Sequence, residues 1–333
     1  MNYLVTGGAG YIGSHMVKYL VKKNHMVTVF DNYSTGHYKK IKGAVYKKID
    51  LINLSKLDSQ FSKYKFDAVF HFAALSIVSD SEKKPKKYFK NNVIGTKNLI
   101  KTMIKYSSNN FVFSSSASVY GKPHSKKISE KHQTKPISNY GKNKKKIEEI
   151  LIQAGKKYNF KSISLRYFNA AGADKSGEIG ESHKPETHLI PKILKSIIER
   201  NYNVTVYGKN HKTKDGTCIR DYVHVNDIVR AHYFILKKFK KKKCSIIYNI
   251  GSGRGYSVLE IIKSIEKITK KKLNIIFEKK KKGDPPILVA KYEKISKETN
   301  WKPIYSQIQN ILLSAWNWHK KEKLNSLNDQ QTE

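Results

Sequence analysis

The sequence predicts an α/β fold with a doubly wound parallel sheet and a smaller mixed α/β lobe. Three observations predict it: short apolar runs alternate with amphipathic stretches, a glycine-rich turn follows the first run, and the rhythm changes near residue 170. Alternating strands and helices favour right-handed crossovers, which place helices on both faces of the sheet. The 333 residues are enough for one large or two modest domains with a hydrophobic core.

The strands are predicted from apolar runs and the helices from the spacing of apolar residues. We expect strands at residues 3–6, 26–30, 44–49, 68–72, 110–114 and 162–166. Helices are expected at 12–22, 88–105 and 140–157, and in the last of these Ile147, Ile150, Leu151 and Ala154 recur at helical spacing. The first half of the chain therefore provides most of a parallel sheet.

The charge of the chain is its unusual feature. Lys and Arg total 65 against 26 Asp and Glu, which gives a formal net charge of +39. So high a charge is typical of proteins that bind nucleic acids. Here lysine dominates, it is spread along the whole chain, and the motifs of nucleic-acid-binding proteins are absent. We interpret the lysines as solvated surface residues and expect no specific nucleic-acid partner.

Composition also bears on location and on metals. The two cysteines, Cys218 and Cys244, are a poor basis for a disulfide framework or a zinc site, and we expect no metal. The N-terminal residues enter a strand directly, without the pattern of a signal peptide, and no apolar stretch has the length of a membrane span. These observations predict a cytoplasmic protein without a membrane partner.

A dinucleotide-binding turn follows the first strand. Residues 7–13 read Gly-Gly-Ala-Gly-Tyr-Ile-Gly, and the glycines at positions 8, 10 and 13 have the spacing that lets a backbone approach a pyrophosphate. The helix that begins there offers N–H groups and a positive dipole end to the phosphates. Asp31 ends the second strand, where a carboxylate binds ribose hydroxyls and favours NAD over NADP. The pattern predicts a Rossmann domain over residues 1–169, and a substrate lobe mainly in 170–333 that is interleaved with it.

A tyrosine and a lysine suited to proton transfer lie at the start of a predicted helix. Tyr140 and Lys144 are four residues apart and share one helical face. A free phenol has a pKa near ~10, and a nearby ammonium with the cationic nicotinamide favours the phenolate. Ser116, at the end of the preceding strand, is the best candidate to complete the hydrogen-bond relay. We therefore expect Tyr140 to act as the base towards a sugar hydroxyl.

Further segments accompany these motifs in a characteristic order. They are residues 5–15, 31–32, 71–74, 91–92, 114–121, 140–144, 166–169, 187–191 and 215–225. Together they resemble the extended short-chain dehydrogenase/reductase family and, within it, the 4-epimerases of UDP-sugars. The resemblance covers nearly the whole chain. It implies a reversible inversion at C4 of UDP-galactose and UDP-glucose through a transient 4-keto sugar, with NAD bound throughout.

The resemblance also implies roles for individual residues. The residues implied to contact NAD are Gly7, Gly10, Tyr11, Ile12, Gly13, Asp31, Asn32, Asp50, Leu51, Phe72, Ala73, Asn91, Tyr140, Lys144 and Tyr167. Those implied to contact the UDP-sugar are Ser116, Tyr140, Asn169, Leu189, Tyr207, Arg220, Lys280 and Asp284. A guanidinium such as that of Arg220 suits a diphosphate, although an internal ion pair with Asp221 or Asp227 is the alternative.

Two features of the resemblance concern affinity and assembly. Relatives usually carry Arg-Arg-x-Gly-Asp where this chain has Lys-Lys-Lys-Gly-Asp at 280–284, and lysine lacks the bidentate fork of arginine. Weaker substrate binding is the expected consequence.

The resemblance further implies a homodimer. The helices at 85–105 and 140–157 are the candidates for the contact between subunits, unless their apolar stripes pack on the sheet instead.

Other functions remain open at the level of sequence. A nucleotide-sugar 4,6-dehydratase would need an acid pair where this chain has Ser116-Ala117-Ser118. A UDP-glucuronate decarboxylase or epimerase matches residues 187–191 less well. N-acetylated sugars depend on the volume of a pocket near Leu288, which a sequence does not measure. A degenerate dinucleotide-binding scaffold or a polyanion-binding protein would not need the intact glycines, Tyr140 and Lys144.

Overall fold

The computed structural model describes residues 1–36, 40–123, 125–240, 245–280 and 284–331. Cys244 and the segment 281–283 of the lysine-rich motif lie outside the described residues. In chain order the strands are β1 (Asn2–Thr6), β2 (Met26–Asp31), β3 (Ala44–Lys48), β4 (Ala68–His71), β5 (Asn110–Ser116), β6 (Lys161–Tyr167), β7 (Asn169–Ala171), β8 (Asn203–Tyr207), β9 (Ile219–Arg220), β10 (Tyr222–His224), β11 (Ser245–Ile250), β12 (Tyr256–Ser257), β13 (Asn274–Glu278) and β14 (Ile287–Leu288).

Helices connect these strands. The α-helices are α1 (Tyr11–Lys22), α2 (Leu54–Phe61), α3 (Val78–Lys83), α4 (Pro85–Tyr88), α5 (Gly95–Lys105), α6 (Asn139–Tyr158), α7 (Leu189–Ile198), α8 (Val225–Phe234), α9 (Val258–Thr269), α10 (Glu293–Thr299) and α11 (Ile308–Gln331). A π-helical segment (Phe89–Ile94) and two 3₁₀ segments (Ala117–Tyr120 and Ile235–Lys240) complete the list. Within the described ranges, no helix is both long and apolar enough to cross a bilayer.

Seven parallel strands form the central sheet, in the order β3-β2-β1-β4-β5-β6-β11. The six strands predicted from the apolar runs are confirmed, with ends that differ by at most two residues. The seventh, β11, comes from the second half of the chain and pairs with β6 along its whole length. The predicted doubly wound fold is thus confirmed, whereas the domain boundary at residue 169 stays a prediction.

Both faces of the sheet are covered by helices because each helix has an apolar stripe. On one face α1, α8 and α10 pack through residues such as Met16, Ile228 and Ile295. On the other face α2, α5 and α6 pack through residues such as Leu99 and Leu151. Burying such side chains stabilises the fold by roughly 1.5–3 kcal/mol each.

The helix expected at residues 88–105 is interrupted by the π-helical segment, which corrects that prediction. The interruption coincides with buried Asn92, whose amide nitrogen donates to the carbonyl oxygen of Leu75 at 3.0 Å. Its carbonyl oxygen accepts from the Leu75 N–H at 2.8 Å. A π-bulge often occurs where a helix must place a particular side chain, and here it places Asn91 and Asn92 beside the loop after β4.

A second hydrophobic core lies outside the central sheet. Helices α7, α9 and α11 surround it together with β8, through residues such as Ile193, Ile261 and Ile311. Strand β8 pairs with β13, β10 pairs with β7, and β9 lies between β12 and β14. These short strands place segments from distant parts of the sequence next to the central sheet.

Candidate active site

The predicted site residues meet along one edge of the central sheet. Gly7 directly follows β1, Asp31 ends β2, and Phe72 directly follows β4. Ser116 ends β5 and Tyr167 ends β6. Since these strands are parallel, their carboxyl ends share one edge, which is where ligands bind in open α/β sheets.

The glycine turn leaves room for a ligand above the first helix. Gly10 is the N-cap of α1 and no side chain caps it, so the turn can offer first-turn N–H groups to an anion. A Cβ built on Gly10 would meet only the Gly7 carbonyl oxygen, at 3.4 Å, so a side chain there would extend into open space. Tyr11 anchors the helix, because its hydroxyl donates to the Gly172 carbonyl oxygen at 2.6 Å. This arrangement fits the pyrophosphate of a dinucleotide.

The acid at the end of β2 also holds the glycine turn. One oxygen of the Asp31 carboxylate accepts from the Ala9 N–H at 2.9 Å, and the other accepts from the Tyr33 N–H at 2.8 Å. The side chain is buried, and this loss of solvation raises the pKa of Asp31 above its usual value. The sequence indicated this residue for a ribose contact; its second function, bracing the turn, appears only in the structure.

Three of the residues that the resemblance implies for contact with NAD, namely Asn32, Asp50 and Leu51, are near one another. The Asn32 side-chain amide donates to the Asp50 carboxylate at 3.1 Å. The other Asp50 oxygen accepts from the Ile52 N–H at 2.9 Å, which fixes the loop after β3. Leu51 is buried between them and α5. The three residues therefore form one surface beside the end of β2, whereas their contact with NAD stays a prediction.

Two other residues implied to contact NAD, Asn91 and Tyr167, are held by hydrogen bonds. Asn91 donates to the side-chain oxygen of Asn92 at 2.9 Å. The hydroxyl of Tyr167 lies 2.6 Å from Nε2 of His232. Because Nδ1 of His232 donates to the Ile228 carbonyl oxygen at 2.9 Å, Nε2 accepts the Tyr167 proton. The ring centroid of Phe72 lies 4.8 Å from that of His232, so the two are packed together.

Tyr140, Ser116 and Lys144 are brought together at the centre of this edge. The Ser116 hydroxyl and the Tyr140 phenol are hydrogen-bonded. The Lys144 ammonium lies 5.5 Å from the centroid of the Tyr140 ring and donates to the Ser114 carbonyl oxygen at 2.6 Å. A Cβ at Gly141 would lie 2.6 Å from the Ser118 carbonyl oxygen, so only glycine lets the start of α6 approach this serine segment.

Without a bound cofactor, the pKa of Tyr140 is raised rather than lowered, and the predicted effect of the nicotinamide charge stays a prediction. Loss of solvation raises the pKa of Tyr140 to about 12, and the hydrogen bond with Ser116 only partly opposes this. Burial lowers the pKa of Lys144 to about 7, against the charge of Glu148, which raises it. The ammonium also points at a backbone carbonyl rather than at the phenol. Stabilisation of the phenolate therefore requires the positive charge of a bound cofactor.

A buried ion pair beneath Lys144 was missed by the sequence argument. The Glu148 carboxylate accepts from Nε of Arg166 at 2.9 Å and from a terminal nitrogen at 2.6 Å. Ser115 donates to the same carboxylate at 2.6 Å, and Arg166 donates to the Tyr120 hydroxyl at 2.9 Å. The available signal was the spacing: Glu148 follows Lys144 by four residues, as Lys144 follows Tyr140.

The charged residues predicted for the diphosphate also cluster. Arg220 forms an ion pair with Asp284, 64 residues away, and donates to the Ile219 carbonyl oxygen at 2.7 Å. The alternative partners considered for Arg220 are engaged elsewhere, because Asp221 accepts from Ser252 and Asp227 from Arg230. Lys280 lies in the same region: a Cβ on Gly208, one residue after β8, would be 3.2 Å from that of Lys280. The remaining residues of this lysine motif, 281–283, lie outside the described residues.

The other residues predicted to contact substrate lie at ends of elements. Asn169 opens β7, Leu189 opens α7 and Tyr207 closes β8, and all three are partly exposed. Leu288 pairs with Arg220 and packs against the cluster of residues that follow Ser116. The structure thus places two of the motifs from the second half of the chain, those of Arg220 and Leu288, beside the serine segment.

The fold and this site define a class of protein. The chain belongs to the NAD dependent epimerase/dehydratase family, whose pattern matches residues 3–251. It is 43% identical over 321 residues to a UDP-glucose 4-epimerase of Lactobacillus helveticus, covering 96% of this chain and 97% of that one. It is 40% identical to one of Halalkalibacterium halodurans, covering 96% of each. A crystal structure of UDP-glucose 4-epimerase from Brucella ovis in complex with NAD superposes with a TM-score of 0.91, at 38% identity and with 95% and 97% coverage.

Proposed function

We propose that this chain catalyses the reversible 4-epimerisation of UDP-galactose and UDP-glucose, a reaction of galactose metabolism, with NAD bound throughout. The observation that carries the proposal is the group of Tyr140, Ser116 and Lys144 at the carboxyl edge of the sheet, next to the dinucleotide-binding turn. The similarity to named UDP-glucose 4-epimerases along nearly the whole chain supports the choice of sugar nucleotide.

The cofactor would be held by residues from the first half of the chain. The turn that ends at Gly10 would bind the pyrophosphate, Asp31 the adenosine ribose, and Asn32, Asp50 and Leu51 the adenine. Phe72, Ala73, Asn91 and Tyr167 would line the nicotinamide pocket. When bound, NAD supplies a reversible hydride acceptor for the carbon that is inverted.

Tyr140 would handle the proton of the sugar hydroxyl. Its phenolate oxygen would accept the proton of the 4-hydroxyl during oxidation at C4, and it would give the proton back to the same oxygen when C4 is reduced on its other face. The bound NAD would supply the hydride acceptor and donor for these two changes at C4. Ser116 bonds to the phenol, and the charge of the nicotinamide together with that of a protonated Lys144 would favour the anionic form. Proton transfer by a positioned side chain typically accelerates a step by roughly 10²–10⁴-fold.

The UDP-sugar would be bound mainly by the second half of the chain, residues 170–333. Arg220 and Lys280 provide positive charge for the diphosphate, and Asp284 orients the guanidinium through its ion pair. Asn169, Leu189 and Tyr207, partly exposed at the ends of their elements, would contact the rest of the nucleotide sugar. Since the sugar must turn between the two hydride transfers, we expect the protein to bind the diphosphate more tightly than the hexose.

An assay without added cofactor tests the proposal. The purified chain is incubated with UDP-galactose and then heat-killed, and UDP-glucose is measured with UDP-glucose dehydrogenase and its own NAD. We expect UDP-glucose to form. A matched control is the Tyr140→Phe variant, which keeps the cofactor site but lacks the proton-carrying hydroxyl. No product, even after reconstitution with NAD, would contradict the proposed substrate.

The proposed assembly is a homodimer located in the cytoplasm. The apolar residues that defined α6 mostly pack on the sheet, since Ile147 and Leu151 are buried. Phe89 and Ile152 nevertheless remain 45% and 39% exposed on the two neighbouring helical segments, and they are the candidates for a contact between copies. Light scattering at micromolar concentration tests the dimer, and a monomer mass would contradict it.

The proposed location in the cytoplasm is supported by the low number of cysteines, because such usage is typical of proteins in a reducing compartment.

A further inference from the structure

The segment between β7 and α7 brings two histidines and two glutamates together. They are Glu181, His183, Glu186 and His188, and their ligand atoms all lie within 4.8 Å of one another. We propose that these four side chains form a binding site for a single zinc-class divalent metal ion. The site is separate from the predicted catalytic group, and nothing in the proposed reaction requires it.

The arrangement of the ligand atoms is that of a four-coordinate site. Nδ1 of His183 lies 3.4 Å from a Glu181 oxygen and 3.8 Å from a Glu186 oxygen. Nδ1 of His188 lies 3.5 Å from the other Glu186 oxygen. Ligands at roughly 2.0–2.2 Å around a tetrahedral zinc ion are about 3.4 Å apart. Glu186 presents a different oxygen to each histidine, so when it offers one oxygen only one of its two separations counts. With the oxygen that faces His188, two His–Glu separations suit such an ion. The separation of 2.6 Å between His188 and Glu181 would have to lengthen by about 0.8 Å.

A second observation concerns how the ligand atoms are buried. The side chains of Glu181 and Glu186 are only 6% and 8% exposed, and carboxylates are rarely buried so far unless a positive group is their partner. Nδ1 of His183 is buried and has no hydrogen-bond partner among the described residues. This nitrogen faces carboxylate oxygens of Glu181 and Glu186 at 3.4 and 3.8 Å, so a metal ion placed between them would contact all three groups.

Hydrogen bonds from the backbone and from Trp318 hold the two glutamates in place. The Glu186 carboxylate accepts from the backbone N–H groups of His183, Thr187 and His188 at 3.2, 2.8 and 3.0 Å. The indole nitrogen of Trp318 donates to the Glu181 carbonyl oxygen at 3.1 Å. Such supporting hydrogen bonds orient ligands at metal sites. His188, whose side chain is 47% exposed, leaves the cluster open to ions from solution.

The ligand set determines the class of metal. Two imidazole nitrogens and two carboxylate oxygens suit Zn²⁺ in a tetrahedral site, and they are too nitrogen-rich for Ca²⁺ or Mg²⁺. Without a metal, the same groups form a charge-balanced cluster, because the two carboxylates raise the pKa of His183 to about 9 and that of His188 to about 10.

The position of the cluster suggests what the metal would do. All four ligands come from the chain, which leaves no open position and is typical of a structural rather than a catalytic zinc site. His188 directly precedes Leu189, the first residue of α7 and a predicted contact of the UDP-sugar. The metal would therefore fix the segment that presents Leu189.

The test is metal binding rather than activity. The full-length chain is stripped with a strong chelator, and Zn²⁺ is titrated in competition with a chromophoric chelator. We expect one tight site per chain, weakened at least about 100-fold in His183→Ala and in Glu181→Gln. His132→Ala is the matched control, because His132 is bonded to Ser125 and Ser129 and lies outside the cluster. It should bind Zn²⁺ as tightly as the unmutated chain.

Substitution with Co²⁺ tests four-coordinate metal binding by the unmutated chain. Co²⁺ bound to the unmutated chain should show the intense visible absorption of tetrahedral coordination, and one equivalent of Zn²⁺ should abolish it. The proposal is overturned if that absorption is absent, or if Zn²⁺ binds the His183→Ala chain as tightly as the unmutated chain. In either case the four residues form only an ion-paired cluster. Because neither readout uses UDP-galactose, failure of this proposal is distinguishable from failure of the proposed function.

Discussion

Glu148→Gln tests whether the ion pair beneath the catalytic lysine supports the site. Glu148 and Arg166 are each 4% exposed and are joined by two hydrogen bonds, of 2.9 and 2.6 Å. Glutamine has nearly the same shape and keeps one accepting oxygen. It removes the negative charge, however, so the buried guanidinium of Arg166 loses its counterion.

The expected cost follows from that burial. Removing one partner of a buried ion pair typically destabilises a protein by roughly 3–5 kcal/mol, because the remaining charge is left uncompensated. Since glutamine can still accept one hydrogen bond, we expect a loss near the lower limit, about 3 kcal/mol in the free energy of unfolding. A chain of ordinary stability, roughly 5–15 kcal/mol, would remain folded.

Chemical denaturation measures this loss, and the neighbouring residue provides the control. Glu149 is 46% exposed and lies 3.7 Å from Lys146, so Glu149→Gln should cost no more than about 0.5 kcal/mol. A double variant, Glu148→Leu with Arg166→Met, removes both charges and should recover most of the stability. All variants should be compared at the same level of bound NAD, since a ligand of the native state adds to stability.

Activity provides a second readout. Because the charge of Glu148 raises the pKa of Lys144, its removal should lower that pKa further and move the alkaline limb of the epimerase pH profile to lower pH. A purely structural role would leave that limb unmoved. The reasoning is refuted if Glu148→Gln costs no more than Glu149→Gln and the pH profile is unchanged.

Three further predictions concern single residues of the site. Tyr140→Phe should lower kcat by roughly 10²–10⁴-fold or more while NAD stays bound, as measured by released cofactor; near-normal turnover would exclude Tyr140 as the base. Asp31→Ala should weaken NAD binding, since it removes both the ribose contact and the support of the Ala9 N–H; unchanged NAD content in the purified variant would contradict this. Lys144→Met should stabilise the chain most at or below pH 7, because burial lowers the pKa of Lys144 from 10.5 to about 7. Between these values the unfolded state binds more protons, so the advantage of the variant over the unmutated chain should shrink by about 2 kcal/mol from pH 7 to 9 in denaturation experiments; a constant advantage would show that Lys144 is ordinarily charged.

The central sheet could be predicted from sequence because its signals are local. Buried parallel strands are short apolar runs, and six of the seven were found in this way. The seventh strand, β11, is also a short, mostly apolar run. Its pairing with β6 could not be predicted, because more than 70 residues separate the two strands in the sequence. The π-helical interruption near Asn92 was also missed, since a side chain that bonds to a distant loop leaves no periodic signal.

The candidate site could be predicted from sequence where its functional residues lie on one helix or in one turn between neighbouring elements. Tyr140 and Lys144 lie on one helix, and the glycine turn joins one strand to one helix. The pairing of Arg220 with Asp284 depends on tertiary structure, and the sequence offered only Asp221 and Asp227 as alternative partners to the predicted diphosphate contact. The effect of burial on the pKa of Tyr140 could not be predicted, because spacing gives the distance to a lysine but not the loss of solvation.

The most direct test of the account follows the hydrogen at C4. UDP-galactose with deuterium at C4 is converted by the unmutated chain in ordinary water, and the product UDP-glucose is analysed by NMR and mass spectrometry. The account predicts that the deuterium is retained at C4, because the hydride returns from a bound cofactor to the same carbon while only the hydroxyl proton passes through Tyr140. Replacement of the deuterium by solvent hydrogen would show that C4 is deprotonated rather than oxidised, and would contradict the proposed mechanism.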